Sequence, residues 1–456
     1  MSINIAKIYS TLGNPASRTP LIVKDLSATA GMTAGSYVTG KEEGRDRFID
    51  EIGTEFIWLA GIPIFKWLFD KTIFKSFKFD SKFDARNLKN DDIFEKTKKY
   101  APTEDIKNSI DKISGKKRLF KNLVIGRFIS STGLAIASYI MLTKFKQKYT
   151  EKQIEKNLIN EYNKKSVEKN NDLKNKHEEF ILSENKEVNN TQNQEQTPTF
   201  KANSLLESFV FNPVKNMYLL DGAITIDRLI DSRSPQELIG YSIKEASTLL
   251  FMYVLGDQIQ KYLEEYANNK KGKNISLDAR ILEDKNLKQL FESGEITNSL
   301  KEFEQIKSNP GFKNPKKDLI KEAVKLYEFL IHNKDNAIVK MAKQAEIIKL
   351  HKPTGKIDTR HYIDLKKVEG VYNNVKELYG QYQKELKNGA KIDEFLSGVK
   401  KLKRKSIVTN IGACILALGV ITPGLMLVKR LLAKEDVEFQ TKKEIREKLI
   451  KNGIIS

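Results

Sequence analysis

Few residues in this chain have the type and spacing that chemistry needs. Gly35 to Lys41, GSYVTGK, has the GxxxxGK spacing of a phosphate-cradling loop. Such a loop follows its lysine with Ser or Thr, whose hydroxyl binds Mg²⁺, and it sits between a strand and a helix. Here Glu42 and Glu43 follow, and their carboxylates repel phosphate. The preceding KDLSATAGMTA is a poor strand, so the match is a decoy. The histidines His177, His332, His351 and His361 lack metal-ligand spacing, and the single Cys414 offers no partner thiol. There is no GxSxG, HExxH or CxxC. Residues 219–235, LLDGAITIDRLIDSRSP, place Asp221, Asp227, Arg228, Asp231 and Arg233 among apolar neighbours. Acids and bases alternating in that setting read as structural ion pairs. The expectation is no catalytic residue, no cofactor and no metal, against the minor alternative of an enzyme site assembled from scattered residues.

Two groups of residues do carry a physical role. Gly126, Ser130, Gly133 and Ala137 step by 4, 3 and 4 along one helix face, and Ser406, Asn410, Ala413 and Ala417 repeat that step. Small stripes of this kind let helix backbones approach closely in lipid. The two stripes are expected to pack together, within one chain or between chains. The second group is basic: Lys116, Lys117, Arg118 and Arg127 on one side, Lys400, Lys401, Lys403, Arg404 and Lys405 on the other. These are the expected contacts to anionic lipid headgroups, with Arg127 reaching back to the interface.

Both groups need apolar helices to carry them. Ser406 to Val428 has no charged side chain in a chain that is 30% charged. As a helix it spans roughly 35 Å, enough for a hydrocarbon core of about 30 Å. Leu123 to Leu142 is the second candidate, with Arg127 its one charge. Phe56 to Phe65 is broken by Gly61 and Pro63, and residues 246–256 make a short uncharged run. Both look too short to span and suit an interface or a core. The spans have near-equal basic flanks, so orientation is not readable. Two spans would put both termini on one side.

Composition limits the partners. Mean hydropathy is −0.46, so this is no transporter built of apolar spans throughout. The net charge is +20, but only 13 of the 79 basic residues are Arg, the residue favoured for phosphate and base contacts. Nucleic acid is therefore disfavoured against solvated helix faces and an anionic membrane surface. The N-terminus has no apolar signal-peptide core, so no cleavable signal is expected.

Along the chain the expected units are a flexible arm (1–45), a membrane-associated helical region (46–182), a disordered linker (183–200) and a second apolar region (201–268). Soluble amphipathic helices (269–400) and a span with a charged tail (401–456) follow. Ser234-Pro235 predicts a helix start, with Ser at the N-cap and Pro at the first position. Tyr362, Leu365, Val368, Tyr372, Val375, Tyr379, Tyr382 and Leu386 form a near-heptad stripe. Its tyrosines suit a helical hairpin or a partner-binding face more than a tight zipper.

The fold class is thus all-α, with about two transmembrane helices around 120–145 and 406–430. Interfacial or embedded helices are expected around 50–75 and 238–258. The expected function is a non-enzymatic, integral membrane protein that binds a protein partner, or itself, through helical faces. The alternative is a membrane-inserting translocator or pore component.

Overall fold

The structure, a computed structural model, describes residues 5–14, 17–172, 204–307, 315–433 and 437–455. The expected linker at 183–200 lies outside them. Among the described residues there is no strand, only an isolated antiparallel bridge between Leu350 and Ile357. The chain is all-helical.

Six helices form a bundle. They are α1 (Thr19–Thr39), α2 (Lys41–Phe74), α3 (Lys117–Asp172), α4 (Pro213–Ile230), α5 (Pro235–Lys271) and α6 (Ile392–Leu416, continued through Thr422–Ala433). Cross-contacts fix their directions: α2 and α5 run against the other four. Part of the arm expected to be flexible is therefore helical, since α1 and a short helix at Ile5–Leu12 fall inside it. Among the described residues four helices are long and apolar enough to cross a membrane: α2, Lys117–Lys165 of α3, α5, and Ile392–Lys429 of α6. The expected count of about two is corrected to four candidates.

The extra candidates come from helix continuity. Gly61 and Pro63 do not break α2, because a π-helical turn at Ile57–Gly61 precedes the proline. The same device recurs in α6, where the π turn Ala417–Ile421 precedes Pro423. A π turn shifts the hydrogen-bond register by one residue, so the N–H that proline lacks is not missed. In α6 the Thr422 hydroxyl donates to the Ala417 carbonyl at 2.9 Å. A third π turn, Leu250–Leu255, carries α5 through the run that looked too short. That helix opens at Pro235 as predicted, with Ser234 Oγ accepting from the Glu237 N–H at 3.1 Å.

Helices α1 and α6 touch backbone to backbone. A Cβ built on Gly31 would fall 2.1 Å from the Gly419 carbonyl oxygen. Gly31→Ala is therefore expected to push the helices apart and cost about 1–3 kcal/mol or more. Gly133→Ala is the control, since a Cβ there meets nothing within 4 Å. A lower melting temperature for the first variant and none for the second is the expected result. Equal melting would show that the contact is not tight.

A helical head sits at the end of the bundle where α2 and α5 finish. Its core joins Phe291, Phe303, Leu330, Val339, Val375 and Phe395. Most of the near-heptad stripe is part of that core. Val368, Tyr372, Val375 and Tyr382 on the helix Leu365–Lys387 are buried, Phe303 stacks on Tyr372 at 4.7 Å, and Leu386 is exposed. Of the two expectations for the stripe, intramolecular packing and a partner-binding face, the buried positions fit the first, and tyrosine hydroxyls can reach solvent while their rings pack.

Arg360 fastens the segment after α2 to the head. Its guanidinium bonds Asp358 at 2.7 Å and Asp80 at 3.0 Å, and its carbonyl accepts from the Asp84 N–H at 2.9 Å. Burial opposes the charge on Asp358, but the hydrogen bonds from Arg360 outweigh it and hold the carboxyl below the ordinary range. Burial pushes the His361 imidazole down. Asp358 and Asp84 oppose that shift, and Lys349 and Arg360 add to it. Both groups bind fewer protons folded than unfolded, so stability rises with pH. The histidine contribution begins to be lost as pH falls through about 6.5, and the Asp358 contribution through about 4. Thermal unfolding followed from pH 7.5 to 4.5 is expected to show this decline, with His361→Gln flattening its upper part. A flat profile for the wild type would contradict the assignment.

Candidate functional site: a buried ionic core in the helix bundle

Beside an apolar cluster that includes Trp58, Tyr139, Leu220 and Leu418, the bundle interior holds a layer of charged residues. Asp46, Arg47, Asp50, Glu51 and Glu55 step by 1, 3, 1 and 4, which keeps them on one face of α2. Helix α3 brings Lys146, α4 brings Arg228, and α5 brings Glu237, Lys244 and Glu245. Arg233 stands in the turn between α4 and α5.

Arg228 is the hub, only 3% exposed. Its Nη2 bonds Asp50 at 3.0 Å and Thr54 Oγ1 at 3.1 Å, and its Nη1 bonds Glu245. Lys244 donates to both oxygens of Glu51 at 2.7 and 2.8 Å. Lys146 stands 3.6 Å from Asp50 and 3.7 Å from Asp46, and donates to the Tyr241 hydroxyl at 3.2 Å. Arg233 joins Asp46 at 3.1 Å to Glu237 at 2.7 Å. Arg47 lies 3.6 Å from Glu51, with its guanidinium over the Tyr241 ring at 4.9 Å. Five bases thus meet five acids: Arg47, Lys146, Arg228, Arg233 and Lys244 against Asp46, Asp50, Glu51, Glu237 and Glu245. The set is neutral as a whole, which is what makes its burial tolerable.

A second, uncompensated group lies nearer the head. The carboxyls of Asp25 on α1 and Glu55 on α2 stand within electrostatic reach of each other. Thr29 donates to Glu55 Oε1 at 2.9 Å, while the buried Glu55 Oε2 has no partner. Tyr253 donates to Asp221, whose charge also acts on Asp25. Trp58, 1% exposed on α2, lies beside Tyr253. No group of three or more His, Cys, Asp or Glu among the described residues has the arrangement of a metal site.

The small-residue stripes are not brought together within the chain. On α3, Ser130, Gly133 and Ala137 face outward, and Gly126 is half-buried with the nearest atom to a built Cβ 3.8 Å away, on Phe69. The face of α3 that packs is Val124, Phe128, Ser131, Thr132, Ala135 and Tyr139. On α6, Ser406 and Ala417 are buried, and Asn410 and Ala413 half-buried. Their neighbour is α5: Gln260 donates to Ser406 Oγ at 3.4 Å, and Asn410 donates to Gln260 Oε1 at 3.5 Å.

Four of the nine expected headgroup residues are taken by carboxylates of the chain. Arg127 bonds Asp70 at 2.8 Å and the Ser81 carbonyl at 3.0 Å rather than turning to the interface. Lys117 bonds Asp91 at 2.7 Å, Lys403 is buried on Glu264 at 3.1 Å, and Arg404 grips Glu283 with two bonds of 2.7 and 2.8 Å. Lys116, Arg118, Lys401 and Lys405 are exposed, and Lys400 is half-buried.

Sequence reasoning marked Arg228 and Arg233 as ion-pair residues, and both lie in the network. It missed the acids of α2, although Asp46, Asp50 and Glu51 mark a charged helix face running into an apolar segment. Comparison with known proteins finds no matching family model, no similar curated protein and no similar solved structure.

Proposed function

We infer that this chain is a non-enzymatic integral membrane protein, anchored by its bundle and presenting its helical head to a protein partner or a second copy. One observation carries the reading: the bundle buries a layer of charges and exposes large apolar side chains. Its interior holds the ionic core, while its outer face carries Phe56, Trp67, Ile129, Met141, Leu416, Val420 and Leu425, all exposed. Water does not tolerate so continuous an apolar surface, and lipid requires it. The charge balance of the core supports an anchoring role, because each buried ion is held by its opposite.

Carbonate washing of membranes tests the anchor. Retention in the pellet is expected, and release into the wash would overturn it. A photo-crosslinker at Leu319, exposed on the head, tests the partner. A specific adduct in membranes is expected, and its absence at several head positions would remove that part.

A second reading, a translocator, is favoured by the group around Glu55. Carboxyls that lack a basic counter-ion inside a bundle mark ion pathways in membrane proteins. Proton flux in liposomes carrying the protein, lost in Glu55→Gln, would establish it. Inert liposomes would remove it and leave the anchor.

A further inference from the structure

We propose that the cleft between the bundle and the head binds a phosphate-bearing anion, with Lys24 as the buried cation at its base. The cleft holds about 1030 Å³ and is lined by the first turns of α1, the middle of α5, the first half of α6 and the head. Lys24 borders it, yet is only 4% exposed. No carboxylate among the described residues lies within 4 Å of its ammonium. Its Nζ rests beside Gly256 and the thiol of Cys414. A Cβ on Gly256 would fall 2.5 Å from that Nζ, so the missing side chain is what makes room for the ammonium. An ammonium removed from water without a counter-charge is strongly unfavourable, and a ligand that supplies one is drawn in.

The walls point to the same sign of ligand. Lys261, Lys349, Lys366 and Lys367 border the cleft, and none has a carboxylate within 4 Å among the described residues. Six acids also line it: Asp84, Glu264, Asp278 and Glu346 are held by Arg86, Lys403 and Arg280, Asp364 accepts from the Lys367 N–H, and Asp257 is the remaining one. The start of α1 opens into the cleft at Pro20 and Leu21 and adds the positive end of a helix dipole. Several ammonium groups converging on one space suit a multiply charged anion with several acceptor oxygens, and lysine serves phosphate as a point charge. The volume is far larger than a simple ion needs and is that of an organic ligand site. The cleft stands where the bundle meets the head. A lipid headgroup and a soluble phosphate compound share this chemistry. The proposal does not depend on the anchoring reading, since the second source needs no bilayer.

Calorimetric titration of the full-length protein in neutral detergent tests it, with inorganic phosphate as one probe and short-chain phosphatidylglycerol as the other. Short-chain phosphatidylcholine is the control. Saturable binding of at least one anionic probe is expected, weakened about tenfold or more by Lys24→Met. Gly256→Ala keeps the charge but displaces the ammonium, and is expected to weaken binding as well. Binding of inorganic phosphate assigns a soluble phosphate, and binding of phosphatidylglycerol alone assigns a headgroup; either upholds the site. Binding of neither probe, or equal binding by Lys24→Met, overturns it. If Lys24→Met does not fold, Lys366→Ser with Lys367→Ser on the exposed rim decides, and unchanged affinity there overturns the proposal.

Discussion

Arg228→Met is expected to destabilise the bundle more than any other single change in its interior. The guanidinium compensates Asp50 and Glu245 and stands 3.9 Å from Glu51. Removing it leaves these carboxylates in a space almost closed to water, since Asp50 is 1% exposed. Breaking one partner of a buried pair costs about 3–5 kcal/mol, mostly because the other charge is stranded. Arg228→Met combined with Glu245→Gln strands one charge fewer, so it is expected to recover part of the loss. The check is unfolding in detergent followed by circular dichroism. An unchanged midpoint for the single variant would mean that water reaches the network and that its burial is not real. The double variant separates charge from packing, because loss of arginine packing alone would not be repaired by removing a carboxylate.

Val420→Arg is the second large effect, and it depends on what surrounds the bundle. Val420 lies on the outer face of α6 and is 60% exposed. In water, an arginine at such a surface position changes stability by no more than about 0.5 kcal/mol. At the centre of a membrane span, it opposes insertion by about 2.5–3.5 kcal/mol. Membrane-inserted protein is therefore expected to fall sharply in Val420→Arg, read as the fraction retained after carbonate washing. Leu386→Arg, at an exposed position of the head, is the control and is expected to leave that fraction unchanged. If the two variants behave alike, the apolar belt does not meet lipid.

One change acts inside the bundle and the other on its outer face, and this division of polarity is why four candidate spans were hard to see. An apolar run is legible when every face of the helix is apolar, as in Ser406–Val428. In α2 and α5 the inward face carries charge, and Glu55 and Glu245 stand immediately before the uncharged runs. The charges of the core are neutral only in combination, and the combination joins α2, α3, α4 and α5. Arg47 stands within a turn of Asp50 at 3.8 Å, but Arg228, which bonds it at 3.0 Å, is 178 positions away. Pro63 misled for a related reason, since the turn that accommodates it is a property of the folded helix.

The sequence by itself determined that the chain is helical, that Ser406–Val428 and Leu123–Leu142 are apolar enough to span, and that α5 starts at Pro235. Those features are local: hydropathy, propensity and an N-cap hydroxyl act within a turn or two. It could not determine which faces meet. Only the tertiary structure turned the small stripe of α3 outward and set that of α6 against Gln260. It also turned the tyrosines of Leu365–Lys387 into the head and gathered ten charges into one neutral core. Packing and charge compensation are pairwise over long separations, and a stripe has the same spacing whether it faces lipid, water or another helix.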